Sequence, residues 1–363
     1  MLAILLACQE APDEGQPKAA GGGDSGSPSE PDTADTADTA DTADTADTAE
    51  EAWVEVECPR HESMLLDVYR HSSTDGITFG DPVHVRAQTS VPDLVSDANL
   101  DGGSQQLFWM AFEDRSDRCN TLVHASFDSS TNTVGEPSGV DFVGAPITRM
   151  LDEGIRHPIA DPEVIAVGDV PVMVVTLWPE ELPYACVGLF VGEARGTLES
   201  GRFEYLPHLL FCDPEEEENH TDPVAVWAPD DAGDLDSSGS IYVMLASATA
   251  MLNGQLENKL WRITVPEPDD PSGWVDSGNE ISTLSSMHML GTILRTGEAS
   301  CPFRAWGTSS GSIHLACTAD FQSWESLGMV TRVAAGDPAV SRRTDGWDLL
   351  VMGDEDYSGE VLP

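Results

Sequence analysis

The chain has 363 residues, and its 17 Lys and Arg against 64 Asp and Glu give a net charge of 17 − 64 = −47. This balance argues against nucleic-acid binding and against adsorption to anionic lipid surfaces, because both require clustered basic side chains. Hydrophobic residues make up 40% of the chain, which is enough for a sizeable core in one large domain or two smaller ones.

The first eight residues have the features of the end of an export signal. An apolar run closes with the small residue Ala7 and is followed by Cys8. This pattern resembles a bacterial lipobox, in which the cysteine is acylated and becomes the mature N-terminus; an ordinary buried cysteine is the alternative. The run lacks a basic segment and is about half the usual length, which a start codon further upstream would explain. The resemblance implies a lipid anchor at Cys8, and Gln9 after it implies the outer membrane or cell surface.

Residues 9–52 have the composition of a disordered tether. They include six Asp-Thr-Ala triplets between positions 32 and 49, and residues 9–51 carry thirteen acids and one lysine, a net charge of 1 − 13 = −12. No aromatic or large aliphatic side chain is present there to offset the entropy of ordering the chain. We therefore expect an extended stalk that precedes a folded domain of residues 53–363.

The cysteines agree with export. Six remain after Cys8, an even number that is compatible with three disulfides outside the cytoplasm. Two pairs flank turn-like segments at residues 194–201 and 307–311, so each pair would face across adjacent antiparallel strands, where Cβ atoms are close enough for a disulfide. The expected pairs are Cys186–Cys212, Cys301–Cys317 and, by elimination, Cys58–Cys119.

From residue 53 onward, short β-runs alternate with turns and little helical periodicity is present. One unit of four strands recurs, and it opens with an apolar run that begins at an acidic residue. The openings, including one degenerate copy, lie at Asp93, Asp161, Asp222, His288 and Asp337, with spacings of 68, 61, 66 and 49 residues. This length suits the four strands and turns of a propeller blade.

The two ends of the folded region each supply half a blade. Two strands follow the last opening, at residues 339–342 and 347–352, and two precede the first unit, at residues 64–71 and 77–85. Joined together, they make a fifth blade with the N-terminal strands outermost, which removes exposed sheet edges. We therefore predict an all-β fold, a five-bladed β-propeller closed by its N-terminal strands. A β-sandwich of two sheets is the structural alternative.

The turns and the strand openings carry two family resemblances. Residues 72–79 (SSTDGITF) are similar to the Asp-box of sialidases, with the Asp displaced by one position, and residues 126–133 and 318–324 are weaker copies. All three are expected between the third and fourth strands of a blade. The five-blade count and the Asp-Pro openings over residues 58–356 resemble the propellers of the arabinanase, levansucrase and invertase type of glycosidase.

That second resemblance implies a carbohydrate site at the mouth of the central funnel. In those glycosidases, acids that open the inner strands act as base or nucleophile, as pKa modulator and as general acid. The equivalent positions here would be Asp93, Asp161, Asp222, His288 and Asp337. This chain departs from the pattern because no Glu opens an inner strand. The alternatives are that each Asp caps a strand by accepting a backbone N–H, and that His288 packs in the core.

Two acidic loops resemble calcium sites, because alternate oxygen ligands followed by a sharp glycine turn suit a hard cation. The candidate Ca²⁺ ligands are Asp97, Asn99 and Asp101 in the first loop and Asp234, Asp236 and Ser238 in the second. Both loops are expected between the first and second strands of a blade, and neither has a bidentate Glu at position twelve. Weak calcium binding and a plain acidic turn both remain open.

Two functions are compatible with these features. The first is a lipid-anchored, surface-displayed, monomeric propeller that binds a glycan or protein ligand without turnover, which the missing Glu favours. The alternative is an exported glycoside hydrolase that uses a funnel of Asp residues.

Overall fold

The structure is a computed structural model, and it describes residues 66–96, 105–111, 121–145, 159–179, 182, 184–192, 197–212, 220–247, 258–282, 289–309, 312–332, 337–353 and 357. These residues are nearly all β. A short helix, Thr197–Ser200, and a 3-10 turn, Pro271–Gly273, are the helical elements among them. Within the same ranges, no helix has the length and apolar character needed to cross a bilayer.

The strands of this part of the chain have between 2 and 14 residues. In chain order they are β1 (Leu66–Ser73), β2 (Val83–Ser96), β3 (Gln105–Ala111), β4 (Thr121–Asp128), β5 (Thr133–Val134), β6 (Ser138–Gly139), β7 (Asp141–Val143), β8 (Ile159–Val167), β9 (Val170–Leu177), β10 (Cys186–Gly192), β11 (Arg202–Phe211), β12 (His220–Pro229), β13 (Gly239–Ser247), β14 (Asn258–Val265), β15 (Val275–Ser282), β16 (Met289–Glu298), β17 (Cys301–Ser309), β18 (Ser312–Thr318), β19 (Glu325–Arg332), β20 (Ala339–Arg343) and β21 (Gly346–Gly353).

Hydrogen bonding groups these strands into five antiparallel blades. Blades 2, 3 and 4 are β8–β11, β12–β15 and β16–β19, and β7 adds a parallel strand to the outer edge of blade 2. Blade 1 is β2–β5, with β6 paired to β4, and blade 5 is β20, β21, β1 and β2. Contacts between the inner strands run from β2 through β8, β12, β16 and β20 and back to β2, which closes the ring. The predicted five-bladed propeller is therefore confirmed, and the sandwich alternative is wrong.

The predicted closure by the N-terminal strands is also confirmed. Strand β1 pairs with β21 continuously, from Asp67 opposite Gly353 to Ser73 opposite Trp347. Strand β2 then serves two blades, because it pairs with β1 up to Thr89 and with β3 from Thr89 onward. One detail of the prediction is wrong: residues 77–82 belong to a turn rather than to a strand.

The side chain of an aspartate organises each turn that resembles an Asp-box. Backbone amides donate to Asp75 Oδ1 from Ile77 and Thr78, each at 2.8 Å, and amides likewise donate to Asp128 and Asp320 within their own turns. The turns lie between the third and fourth strands of blades 5, 1 and 4, as expected. These hydrogen bonds satisfy amides that the sheet leaves unpaired, which explains why the chain turns at residues 74–82.

The hydrophobic core lies between the blades. One cluster joins valines of β9 in blade 2 to Trp227 and Trp261 of blade 3, and both tryptophans are buried. Two disulfides tie neighbouring strands inside blades: Cys186–Cys212 with Cα atoms 4.7 Å apart, and Cys301–Cys317 with Cα atoms 5.6 Å apart. Both hairpin pairings are confirmed, whereas Cys58 and Cys119 lie outside the described residues.

Candidate functional site

A strained backbone segment marks the inner strand in four of the five blades. In each, a non-glycine residue directly before a proline adopts a left-handed conformation, which costs energy for a side chain with a Cβ. These residues are Val91 (φ 47°), Asp161 (φ 51°), Asp222 (φ 50°) and Asp337 (φ 59°). In β2, β8 and β12 this residue and its proline form a bulge, because the strand pairing skips both of them. In blade 5 the pair directly precedes β20.

The same position differs in blade 4. There the pairing of β16 skips a single residue, Gly291, so no carboxylate is presented. A Cβ at Gly291 would collide with the carbonyl oxygen and ring of Pro338 in blade 5. The close approach of these two inner strands thus explains the glycine.

Asp93 does not occupy the position that sequence spacing indicated. In β2 the strained residue is Val91, and Asp93 follows two residues later, in the register that Glu163 occupies in β8. The side chain of Asp93 is buried, with 4% exposed. The expected set therefore divides: Asp161, Asp222 and Asp337 share one position, Asp93 lies at another, and His288 lies outside the described residues.

We call Asp161, Asp222 and Asp337 the aspartate ring. These three residues are partly exposed, whereas the proline that follows each of them is buried. Burial and the negative charges of Asp222 and Asp337 raise the pKa of Asp161 well above its ordinary value. Burial, followed by the charge of Asp222, raises the pKa of Asp337 to about 7. Burial also raises the pKa of Asp222. The three carboxyls interact, so they do not all ionise together near neutral pH.

Hydrogen bonds orient two members of the aspartate ring. Thr176 Oγ1 donates to Asp161 Oδ2 at 3.0 Å, and the backbone amide of Asp222 also donates to the Asp161 carboxylate. Thr221 Oγ1 donates to Asp222 Oδ2 at 2.9 Å. The Asp161 carboxylate thus accepts an amide from the next blade, a hydrogen bond of the kind that the strand-cap alternative predicts. This bond also places the Asp161 carboxyl beside its neighbour in the aspartate ring.

A second pair of acids lies just beyond the aspartate ring. Asp93 Oδ2 accepts the backbone amide of Val164 at 2.7 Å, and the Glu163 carboxylate accepts the amide of Ala225. Burial raises the pKa of Asp93 to about 7, and burial together with the charge of Asp93 raises the pKa of Glu163. Aligning the units on their prolines instead of their aspartates would have separated this pair from the aspartate ring.

The second candidate calcium loop lies in the turn between β12 and β13. Asp234 Oδ1 accepts the amide of Asp236 at 3.1 Å, and Ser238 Oγ donates to Asp230 Oδ2 at 2.7 Å. Across the described ranges, no group of three or more His, Cys, Asp or Glu is arranged to hold a metal ion. Asp97, Asn99, Asp101 and Cys8 lie outside those ranges. Calcium binding, the lipid anchor, surface localisation and the monomeric state remain predictions.

Neither a protein-family profile nor a curated protein sequence matches the chain. Among solved structures, it is similar to an exo-β-1,3-galactanase from Phanerochaete chrysosporium with galactose, at 13% identity and a TM-score of 0.44, covering 76% of this chain and 63% of that one. It is similar to an α-L-arabinanase from Penicillium chrysogenum complexed with arabinobiose, at 11% identity, a TM-score of 0.47 and coverages of 84% and 88%. A native Bacillus subtilis arabinanase is similar at 9% identity, a TM-score of 0.44 and coverages of 77% and 95%.

The chain thus spans less than two thirds of the galactanase's length. Arabinanases are among the similar structures, as the resemblance in the sequence implied.

Proposed function

We propose that this protein is a glycoside hydrolase whose reaction takes place at the aspartate ring. The observation that carries the proposal is that three blades bring partly exposed carboxyls together and that each carboxyl has a raised pKa. Glycosidic bond cleavage needs one protonated and one ionised carboxyl on either side of the bond. Carboxyls whose environments push their pKa values apart satisfy this need near neutral pH.

Asp161 is the best candidate for the proton donor. Its ionised form is disfavoured by burial and by two neighbouring negative charges, so its pKa is raised by more causes than that of any other member of the aspartate ring. It would protonate the leaving oxygen of the glycoside. Asp222 is the candidate for the ionised partner, because burial alone raises its pKa, whereas two neighbouring negative charges add to burial at Asp161; Thr221 Oγ1 also donates to the Asp222 carboxylate. It would act as the base that activates water or as the nucleophile. Asp337 would then raise the proton affinity of Asp161 through its negative charge.

The test is a hydrolysis assay of the full chain on a panel of polysaccharides that includes arabinan, β-1,3-galactan and xylan. Release of reducing sugar is expected on at least one of them. Asp161→Asn and Asp222→Asn should each lower kcat by about 10²-fold or more while leaving the melting temperature nearly unchanged. Asp269→Asn, at an exposed turn position, is the matched control and should leave kcat unchanged. Absence of turnover on the whole panel would refute the hydrolase.

A second candidate function, glycan binding without turnover, is favoured by one observation. The inner-strand glutamate Glu163 is buried, and its carboxylate is occupied by the amide of Ala225, so it is not available as a general acid. Isothermal titration with the same polysaccharides distinguishes the two functions. Binding that is weakened by Asp161→Asn, without any sugar release by the unmodified protein, would establish the binding module.

A further inference from the structure

At three junctions between blades, a polar side chain from one inner strand bonds the backbone of the next. In each case the acceptor is the residue that directly follows the bulge of one inner strand. The donor is a backbone amide of the next inner strand, and it belongs to the residue three positions after an aspartate of the aspartate ring. The pairs are Asp93 with Val164 (2.7 Å), Glu163 with Ala225, and Thr292 with Val340 (3.1 Å). We call Asp93, Glu163 and Thr292 the clasp residues. The amides that they hold follow Asp161, Asp222 and Asp337, respectively.

At the other two junctions, the described residue in this register has an apolar side chain. The residues in the same register are Val224 and Ala339, which have no polar atom in their side chains. The blades that follow them present Gly291 and Val91 at the bulge instead of a carboxylate. A clasp residue is therefore present at each junction that leads to a ring aspartate, and absent from both junctions that do not.

Adhesion between blades does not by itself require polar residues at this register. Val224 and Ala339 are 2% and 1% exposed, so apolar side chains fill the same buried position at two of the five junctions. Asp93 and Glu163 are each only 4% exposed, and burying a carboxyl is costly. Polar residues occupy this register only at the junctions that lead to ring aspartates, although burying two of them destabilises the fold. This distribution points to a role in the site.

We propose that Asp93, Glu163 and Thr292 are positioning residues, each of which fixes from the preceding blade the strained Asp-Pro segment that presents one carboxyl of the aspartate ring. This inference deepens the proposed function, since it assigns residues that set the geometry of the same site. Thr292 shows the arrangement most fully. Its Oγ1 accepts the amide of Val340 and donates to the carbonyl of Pro338, both at 3.1 Å, so it holds both sides of the segment that follows Asp337.

Thr292 also provides the cleanest test, because it is uncharged and its replacement changes no electrostatic charge. Thr292→Val removes the hydroxyl and keeps the shape, whereas Thr292→Ser keeps the hydroxyl. The measurement is the pH titration of the aspartate side-chain carboxyl carbons by ¹³C NMR on the full chain. Thr292→Val should move the titration midpoint of Asp337 by about 0.5 pH unit or more, because the carboxyl changes its burial and its distance from Asp222. Thr292→Ser should restore the midpoint of the unmodified protein.

Val224→Ala is the matched control, at a junction that has no clasp residue. It removes buried apolar volume and should lower the melting temperature, but it should leave every ring titration unchanged. Asp93 supplies a second pair of variants. Asp93→Asn keeps an acceptor and Asp93→Val removes it, while both lose the charge. The two variants should therefore differ in the titration of Asp161.

The outcomes separate this inference from the proposed function. If Thr292→Val lowers the melting temperature but leaves the Asp337 midpoint unchanged, and the two Asp93 variants titrate alike, the clasp residues serve adhesion only and the inference is overturned. Shifted titrations in a protein that hydrolyses no glycan support positioning and refute only the hydrolase. In an active protein, Thr292→Val should lower kcat by about tenfold with KM unchanged, and Thr292→Ser should recover it.

Discussion

Asp93 and Val164 join two neighbouring inner strands, since the Asp93 carboxylate accepts the Val164 amide at 2.7 Å. The bond lies in a buried environment that disfavours the ionised carboxylate and raises its pKa to about 7. The junction between blades 1 and 2 therefore carries a group that changes its charge near neutral pH. The stability of this junction is consequently linked to pH.

The first prediction concerns the pH dependence of stability. The pKa of Asp93 is about 7 in the folded protein and 3.8 in the unfolded chain. A raised carboxyl pKa means that the folded state loses stability as pH rises from about 4 through about 7. Asp93→Asn removes the charge and keeps an acceptor. Relative to the unmodified protein, the free energy of unfolding of the Asp93→Asn variant should increase by on the order of 2–4 kcal/mol between pH 4 and pH 8. Urea unfolding at both pH values measures this gain, and a difference independent of pH would contradict it.

The second prediction concerns the pH profile of the proposed hydrolysis. The charge of Asp337 helps to raise the pKa of Asp161. Asp337→Asn should therefore lower the pKa of Asp161 and move the alkaline limb of kcat to lower pH, by about 0.5–1 unit. The measurement is kcat across pH 4 to 9, with Asp269→Asn as the control. An alkaline limb that does not move would show that Asp161 is not the proton donor.

The third prediction concerns the turn at Asp128. Hydroxyls of Ser130 and Thr131 and their backbone amides donate to this carboxylate and lower its pKa to about 2. A depressed carboxyl pKa gives stability that is present above about pH 4 and lost as pH falls toward 2. Asp128→Ala should lower the melting temperature by a few degrees at pH 7, and the difference should shrink toward pH 2. Asp269→Ala is the exposed control. A melting temperature that stays unchanged at pH 7 would contradict the prediction.

The fourth prediction concerns the disulfides. Cys186–Cys212 closes a loop with a sequence separation of 26, and its loss should cost about 3–4 kcal/mol of unfolding free energy in the Cys186→Ser/Cys212→Ser variant. Urea unfolding measures this loss.

Non-reducing peptide mapping should in addition recover a Cys58–Cys119 peptide. Free thiols at those two positions would refute the third pairing.

Spacing along the chain was sufficient to predict much of this architecture. The recurrence of the strand openings indicated five blades, and the strands at the two ends indicated the closing blade, because each blade is one unit of four consecutive strands. The two hairpin disulfides were predictable for a similar reason, since each joins two strands that are consecutive along the chain. These features depend on local order, and the sequence alone determined them.

The composition of the site depended on the tertiary structure. A bulge of two residues places Val91, rather than Asp93, beside the aspartate ring, and the spacing of acidic residues does not reveal such a register shift. The bonds that hold the ring aspartates, such as Asp93 to Val164 across 71 positions, run between blades. Closing the propeller brings these residues together and buries them, and that burial raises their pKa values. The sequence determined the fold, whereas the packing of its blades decided which acids lie together.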